Sequence, residues 1–138
     1  MSSSNRQRPL SPHLGIWRWG PGMATSILHR VTGSGMATVG AVLLVWWLVA
    51  AASGEAAYAG FIDTFTYKSG GLNFLGYLFG IGLTAILFQH MGSGIRHFFL
   101  DVGANYELKG NKMSAQATWV FAIVATILFW GYLLGVKG

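Results

Sequence analysis

The sequence predicts an all-α integral membrane protein with three transmembrane helices, and three observations predict it. Of 138 residues, 53% are hydrophobic and only 9% charged, against roughly 25% charged in a soluble domain. Three apolar stretches, at about 25–52, 72–99 and 115–136, are each long enough to cross ~30 Å of hydrocarbon at ~1.5 Å per residue. Polar, glycine-bearing segments separate them. The chain divides into an amino-terminal tail, 1–23, and a three-helix transmembrane domain, 24–136.

Composition also excludes whole classes of chemistry. With no cysteine, the chain has no disulfide, no thiolate metal site, no iron–sulfur cluster of its own and no covalent c-type haem. Any metal must be held by histidine or carboxylate. The net charge of +5 comes from basic residues spread along the chain, without the interleaved aromatics of a nucleic-acid surface. Membrane lipid is the expected surrounding, not nucleic acid.

The tail, Met1 to Met23, carries Pro9, Pro12 and Pro21 and lacks the apolar core of a secretory signal. Arg6, Arg8 and Arg18 without acids give it the composition of a transit peptide. Trp17 and Trp19 suit the headgroup level, where amphipathic rings settle. The first span follows, uncharged from Val31 onward, with Gly33, Ala37 and Ala41 making a smooth stripe for helix packing. On its first turns Ser26 and Arg30 share a face, which His29 borders.

Ser53 to Gly71 is expected to be a loop, with Glu55, Asp63 and Lys68 and a short interfacial helix near Tyr58 to Tyr67. The second span is glycine-rich, and Gly76 and Gly80 form a GxxxG pattern that implies close helix approach. A polar turn, Ala104 to Ser114, leads to the third span. Lysine and arginine concentrate in the tail and in this second turn, so the positive-inside rule puts the amino-terminus on the cytoplasmic or matrix side.

Gln89 to Asp101, QHMGSGIRHFFLD, is the stretch that needs a chemical reason, because ionisable groups in lipid face protein, water or cofactor. His90 and His97 lie about 10 Å apart along one helix and project from similar faces, so they cannot ligate one haem iron from opposite sides. His90 is the deeper, between apolar Leu87, Phe88 and Met91 and beside Gly92 and Gly94. It is either an interhelical hydrogen-bonding residue or an axial ligand to b-type haem, which needs no cysteine. His97 is either a solvated interfacial residue or part of the same site. Arg30 and Arg96 read as snorkelling anchors, and Arg30 with His29, at the inner mouth of the first span, alternatively as partners for haem propionates. His13 lies in the proline-bounded tail, too shallow to reach. A bis-histidine haem therefore needs a histidine from a partner subunit. No nucleophile with its base, paired catalytic carboxylates or phosphate loop is present, so no independent activity is expected.

Arg8 to Leu14 (RPLSPHL), Ser26 to Gly33 (SILHRVTG), and His90 with Gly94-Ile95-Arg96-His97 and Asp101-Val102-Gly103 together resemble, in order and spacing, the cytochrome b membrane subunits of succinate dehydrogenase. The resemblance spans most of the chain. It implies a membrane anchor within a bundle completed by a second anchor subunit, holding a flavoprotein subunit with FAD and an iron–sulfur subunit with its clusters. It implies that His90 is the haem b axial ligand, the other coming from the second anchor. Ser26 and Arg30 match ubiquinone-pocket residues, as Asp101 matches an acidic position near that pocket. His29 and Arg30, with His97 at the same rim, match residues near the haem propionates. Two departures stand out, Ser93 where many members have asparagine and Leu100 where many have tryptophan, and neither is expected to touch the ligand. Only seven residues precede the motif at Arg8, so a bacterial inner membrane is expected rather than a cleaved organellar import sequence. Two alternatives stay open, a haem-free structural anchor and a small transporter or channel subunit. The absence of charge near the middle of any span speaks against the second.

Overall fold

The computed structural model describes residues 18–137, so the expectations for Arg6, Arg8, His13 and Trp17 in the tail lie outside the described residues. Among the described residues the regular structure is helical. Helix α1, Pro21–Gly35, runs without a break through a π-helical turn, Met36–Gly40, into α2, Ala41–Ala52. Helix α3, Glu55–Phe65, is short; α4, Phe74–Asp101, and α5, Leu108–Lys137, are long. Pro21–Ala52, Phe74–Asp101 and Leu108–Val136 are long and apolar enough to cross a membrane. The chain is a multi-pass membrane protein.

The spans agree with expectation in place and differ at their ends, for local reasons. The first begins at Pro21 rather than Thr25, because proline suits the first helical position, where no amide donor is required. It takes the last residues of the supposed tail, 21–23, into helix. Asn73 starts α4 by accepting from Gly76 N at 3.0 Å through its side-chain oxygen, a cap that a hydrophobicity window does not register. The third helix begins at Leu108, not Ala115. The expected turn at 104–114 shrinks to a tight reversal in which Gly103 and Asn105 hold positive φ, 84° and 61°. In the first loop the expected short helix near Tyr58 to Tyr67 is present as α3, shifted toward the amino-terminus at both ends, and Asn73 Nδ2 ties its end by donating to Thr64 O at 2.9 Å.

The interior is small and polar. Buried positions include Thr25, Thr32, Gln89, Ser93, Arg96, Thr118 and Thr126, with Ala50, Ala115 and Ala122, while many large apolar side chains, among them Val42, Leu78, Phe98, Ile127 and Leu128, are exposed. Lipid tails are as apolar as leucine, so burying leucine gains nothing, and close backbone approach with internal hydrogen bonding decides what goes inside. Helix α4 is central, packing on α5 and α1, while α1 also meets α5. Phe88 meets Phe121 and Phe129 edge-on at 6.1 and 6.3 Å. At the other end Trp46, Phe61, Phe65 and Phe79 join α2, α3 and α4.

The GxxxG pattern serves two neighbours rather than one. A Cβ on Gly76 would collide with the Phe65 carbonyl oxygen, and one on Gly80 would lie 2.8 Å from the Trp130 ring. Gly22 of α1 lies against Asn111 of α5 and near Arg96 of α4, so the start of α1, the end of α4 and the start of α5 share one side of the membrane.

Candidate haem and quinone site

Three of the predicted residues come together where α1 crosses α4. Helix α1 presents His29, Thr32 and Gly33, while α4 presents His90, Ser93 and His97, each set at the three- and four-residue spacing that lines one helix face. The His29 and His90 rings stack with centroids 4.0 Å apart and planes 11° from parallel. His97 meets His29 edge-on at 5.1 Å. Gly33 makes the niche, since a Cβ there would stand 2.8 Å from His90 Cε1. No other residue leaves room for an imidazole at that crossing without a shift.

Hydrogen bonds fix the orientation of both stacked rings. His90 Nδ1 lies 3.1 Å from His29 O, and because a carbonyl only accepts, Nδ1 carries the proton. Thr32 Oγ1, which donates to Leu28 O at 2.7 Å, lies 3.3 Å from the same nitrogen. The Nε2 lone pair of His90 is thereby left without a partner among the described residues. Ser93 Oγ donates to Gln89 O at 2.7 Å and stands 2.7 Å from His29 Nδ1. With that hydroxyl proton engaged on α4, His29 Nδ1 is the donor.

Ser93 therefore belongs to the cluster, contrary to the expectation that it stands clear of the ligand. It bonds the ring stacked on His90 and lies 3.0 Å from the His90 carbonyl oxygen. Thr32 and Gly33 were also missed as site residues, although they follow His29 at three and four residues, where a helix repeats its face. Arg96 departs further from expectation. Rather than snorkelling to water it is 6% exposed and donates from Nε to Ser114 Oγ at 3.1 Å. The fixed length of the α4–α5 reversal brings Ser114 over it.

Ser26, Arg30 and Asp101 are not gathered into the cluster. All three are exposed. Ser26 and Arg30 lie one turn apart on the outward side of α1, and Asp101 closes α4. The fold thus separates an inward histidine face of α1 from an outward Ser26–Arg30 face, about a hundred degrees of helix rotation per residue making neighbours His29 and Arg30 diverge.

The donor set suits one kind of metal chemistry. Among the described residues no three histidines or carboxylates converge on a common point that would hold an ion. A single neutral imidazole, its Nδ1–H held on a backbone carbonyl and its Nε2 lone pair free, is how proteins orient an axial histidine. His29 cannot be the opposite ligand, because parallel rings 4.0 Å apart leave no room between them for a macrocycle. The residues present fit one side of a haem iron.

A model of the succinate dehydrogenase/fumarate reductase transmembrane subunit matches residues 4–129. The chain is 36% identical over 129 residues to the succinate dehydrogenase cytochrome b556 subunit of Paracoccus denitrificans, covering 93% of this chain and 94% of that one. It is 31% identical to the succinate dehydrogenase cytochrome b556 subunit of Rickettsia felis, covering 90% and 91%. The mitochondrial succinate dehydrogenase cytochrome b560 subunit of Mus musculus is 33% identical over 91% of this chain and 70% of its own.

Proposed function

The chain belongs to the succinate dehydrogenase/fumarate reductase transmembrane subunit family, and from that premise we propose that it supplies one axial ligand of a haem b and one wall of a ubiquinone-reduction site. It would anchor the flavoprotein and iron–sulfur subunits to the cytoplasmic face of a bacterial inner membrane, with a second anchor subunit completing the bundle. Succinate is oxidised elsewhere in such a complex. The observation that carries the haem reading is His90, whose Nδ1 is tied to the His29 carbonyl while Nε2 stays free beside Gly33. Haem bound there would supply a one-electron store close to the quinone.

Residues of this chain would do the rest. His29 would hold the His90 ring by stacking and through its carbonyl, and His97, edge-on to His29, would line the same rim. Ser26 and Arg30 present a hydroxyl donor and a fixed guanidinium on one outward face, available to a quinone between this chain and its partners. Reduction builds negative charge on the quinone oxygens, which such donors stabilise until protons arrive, with Asp101 at the same end of the membrane domain as an acidic relay. The exposure of these residues in the isolated chain supports a site shared with other subunits.

Arg30→Leu should reduce quinone reductase activity of the assembled complex at least tenfold while leaving succinate oxidation by a soluble artificial acceptor within twofold. Equal loss of both activities would count against a quinone role. A reduced-minus-oxidised spectrum of the complex lacking any b-type band would favour the haem-free structural anchor instead.

A further inference from the structure

On the reading of His90 as an axial ligand, on which this inference rests, we propose that Thr32 is a positioning residue for that ligand. Its hydroxyl oxygen shares the His90 Nδ1 proton with the His29 carbonyl and so holds the haem at a lower reduction potential than the carbonyl alone would. The geometry starts within α1. Thr32 is 7% exposed, and its Oγ1 lies 2.7 Å from Leu28 O and 3.0 Å from His29 O, the carbonyls four and three residues back to which a helical threonine bonds. Its single proton is therefore engaged inside its own helix. Toward α4 the hydroxyl offers lone pairs, and it acts there as an acceptor.

The His90 ring meets that acceptor and one more. Its Nδ1 stands 3.1 Å from His29 O and 3.3 Å from Thr32 Oγ1, so the hydrogen that the carbonyl fixes on Nδ1 is shared between two oxygens. Neither is charged, and the pair orients the ring without bringing an ion into the membrane interior. Stacking on His29 at 4.0 Å keeps the ring in that plane.

The chemical consequence follows from how an imidazole divides its electrons. Acceptors on one ring N–H raise the electron donation of the other nitrogen to a metal, and added donation favours ferric over ferrous iron, lowering the potential. Burial strengthens each such bond relative to water. The His29 carbonyl is main chain and is present whatever side chain stands at 29. Thr32 Oγ1 is the acceptor that side-chain identity controls, and valine there would keep much of the shape while supplying none.

The test is a potentiometric titration of the b-type haem in the assembled complex carrying Thr32→Val, Thr32→Ala or Thr32→Ser. Valine and alanine should each raise the ferrous-to-ferric ratio at a fixed poise by about threefold to tenfold, tenfold being about 59 mV for one electron. Serine, which returns the hydroxyl, should stay within about twofold of wild type on the same scale. Agreement between the larger and the smaller apolar replacement separates a lost acceptor from altered packing, and each decides the matter if the other fails to assemble. An unchanged or lowered potential in those variants, with the bis-histidine spectrum retained, would overturn the role of Thr32 and leave His90 as ligand. So would a shift in Thr32→Ser as large as in Thr32→Val. A b-type spectrum that survives His90→Ala marks the other failure, that of the ligand reading itself, and the role of Thr32 falls with it.

Discussion

At the level of single residues, the site depends on a missing side chain as much as on those present. Gly33→Ala places a methyl group 2.8 Å from His90 Cε1, and the ring must turn off the His29 carbonyl to admit it. An overpacked interior of this kind costs about 1–3 kcal/mol. Thermal unfolding of the complex should therefore fall by a few degrees, with a displaced haem spectrum rather than a lost one. Ser93→Ala is the polar counterpart. Ser93 is fully buried, and its removal leaves His29 Nδ1 unpaired, at a cost of about 1–3 kcal/mol. The place of His90 at the α1–α4 crossing was legible from its depth and flanking residues. Ser93 was legible too, since 90, 93 and 97 lie on one α4 face, but the resemblance drew attention to what differed there and away from what it could bond. Arg96 was not legible, because whether an arginine snorkels or turns inward depends on the length of the following reversal.

Among the elements, apolar length gave the three spans and capping chemistry moved their ends. Pro21, Asn73 and the positive-φ pair Gly103 and Asn105 each act over one turn, a shorter range than any hydrophobic window. The π-helical turn Met36–Gly40 left no trace in periodicity; it lies one turn beyond Gly33, and insertions of this sort rotate the helix face that follows them. The glycine pattern of α4 gives a sharper prediction. Gly76→Ala meets the Phe65 carbonyl oxygen, a backbone atom that cannot rotate aside, whereas Gly80→Ala meets the edge of the Trp130 ring. Limited proteolysis between Thr66 and Asn73 should accelerate several-fold in the first variant and stay near wild type in the second. Equal protection in both would mean that α3 does not rest on α4 as described.

For the molecule as a whole, the side of the membrane is a prediction that the absence of cysteine makes simple to check. Single cysteines at Tyr106, in the α4–α5 reversal, and at Val136, near the end of α5, are both exposed, at 70% and 65%. A membrane-impermeant thiol reagent should reach Tyr106→Cys from the cytoplasmic side alone and Val136→Cys from the other. Labelling of both from one side would contradict a three-span topology. The whole-molecule pattern also explains why the sequence points outside itself. Gln89 Nε2 and Trp119 Nε1 are buried donors without partners among the described residues, both beside one lipid-facing cavity. Such donors in hydrocarbon are costly unless another chain or bound molecule supplies acceptors, in keeping with a subunit whose site is completed elsewhere. The measurement that bears most directly on the central claim is the redox difference spectrum of the purified complex carrying His90→Ala beside one carrying His97→Ala. Loss of the bis-histidine b-type spectrum in the first, with its retention in the second, is the expected result. An unchanged bis-histidine spectrum in assembled His90→Ala complex would contradict it.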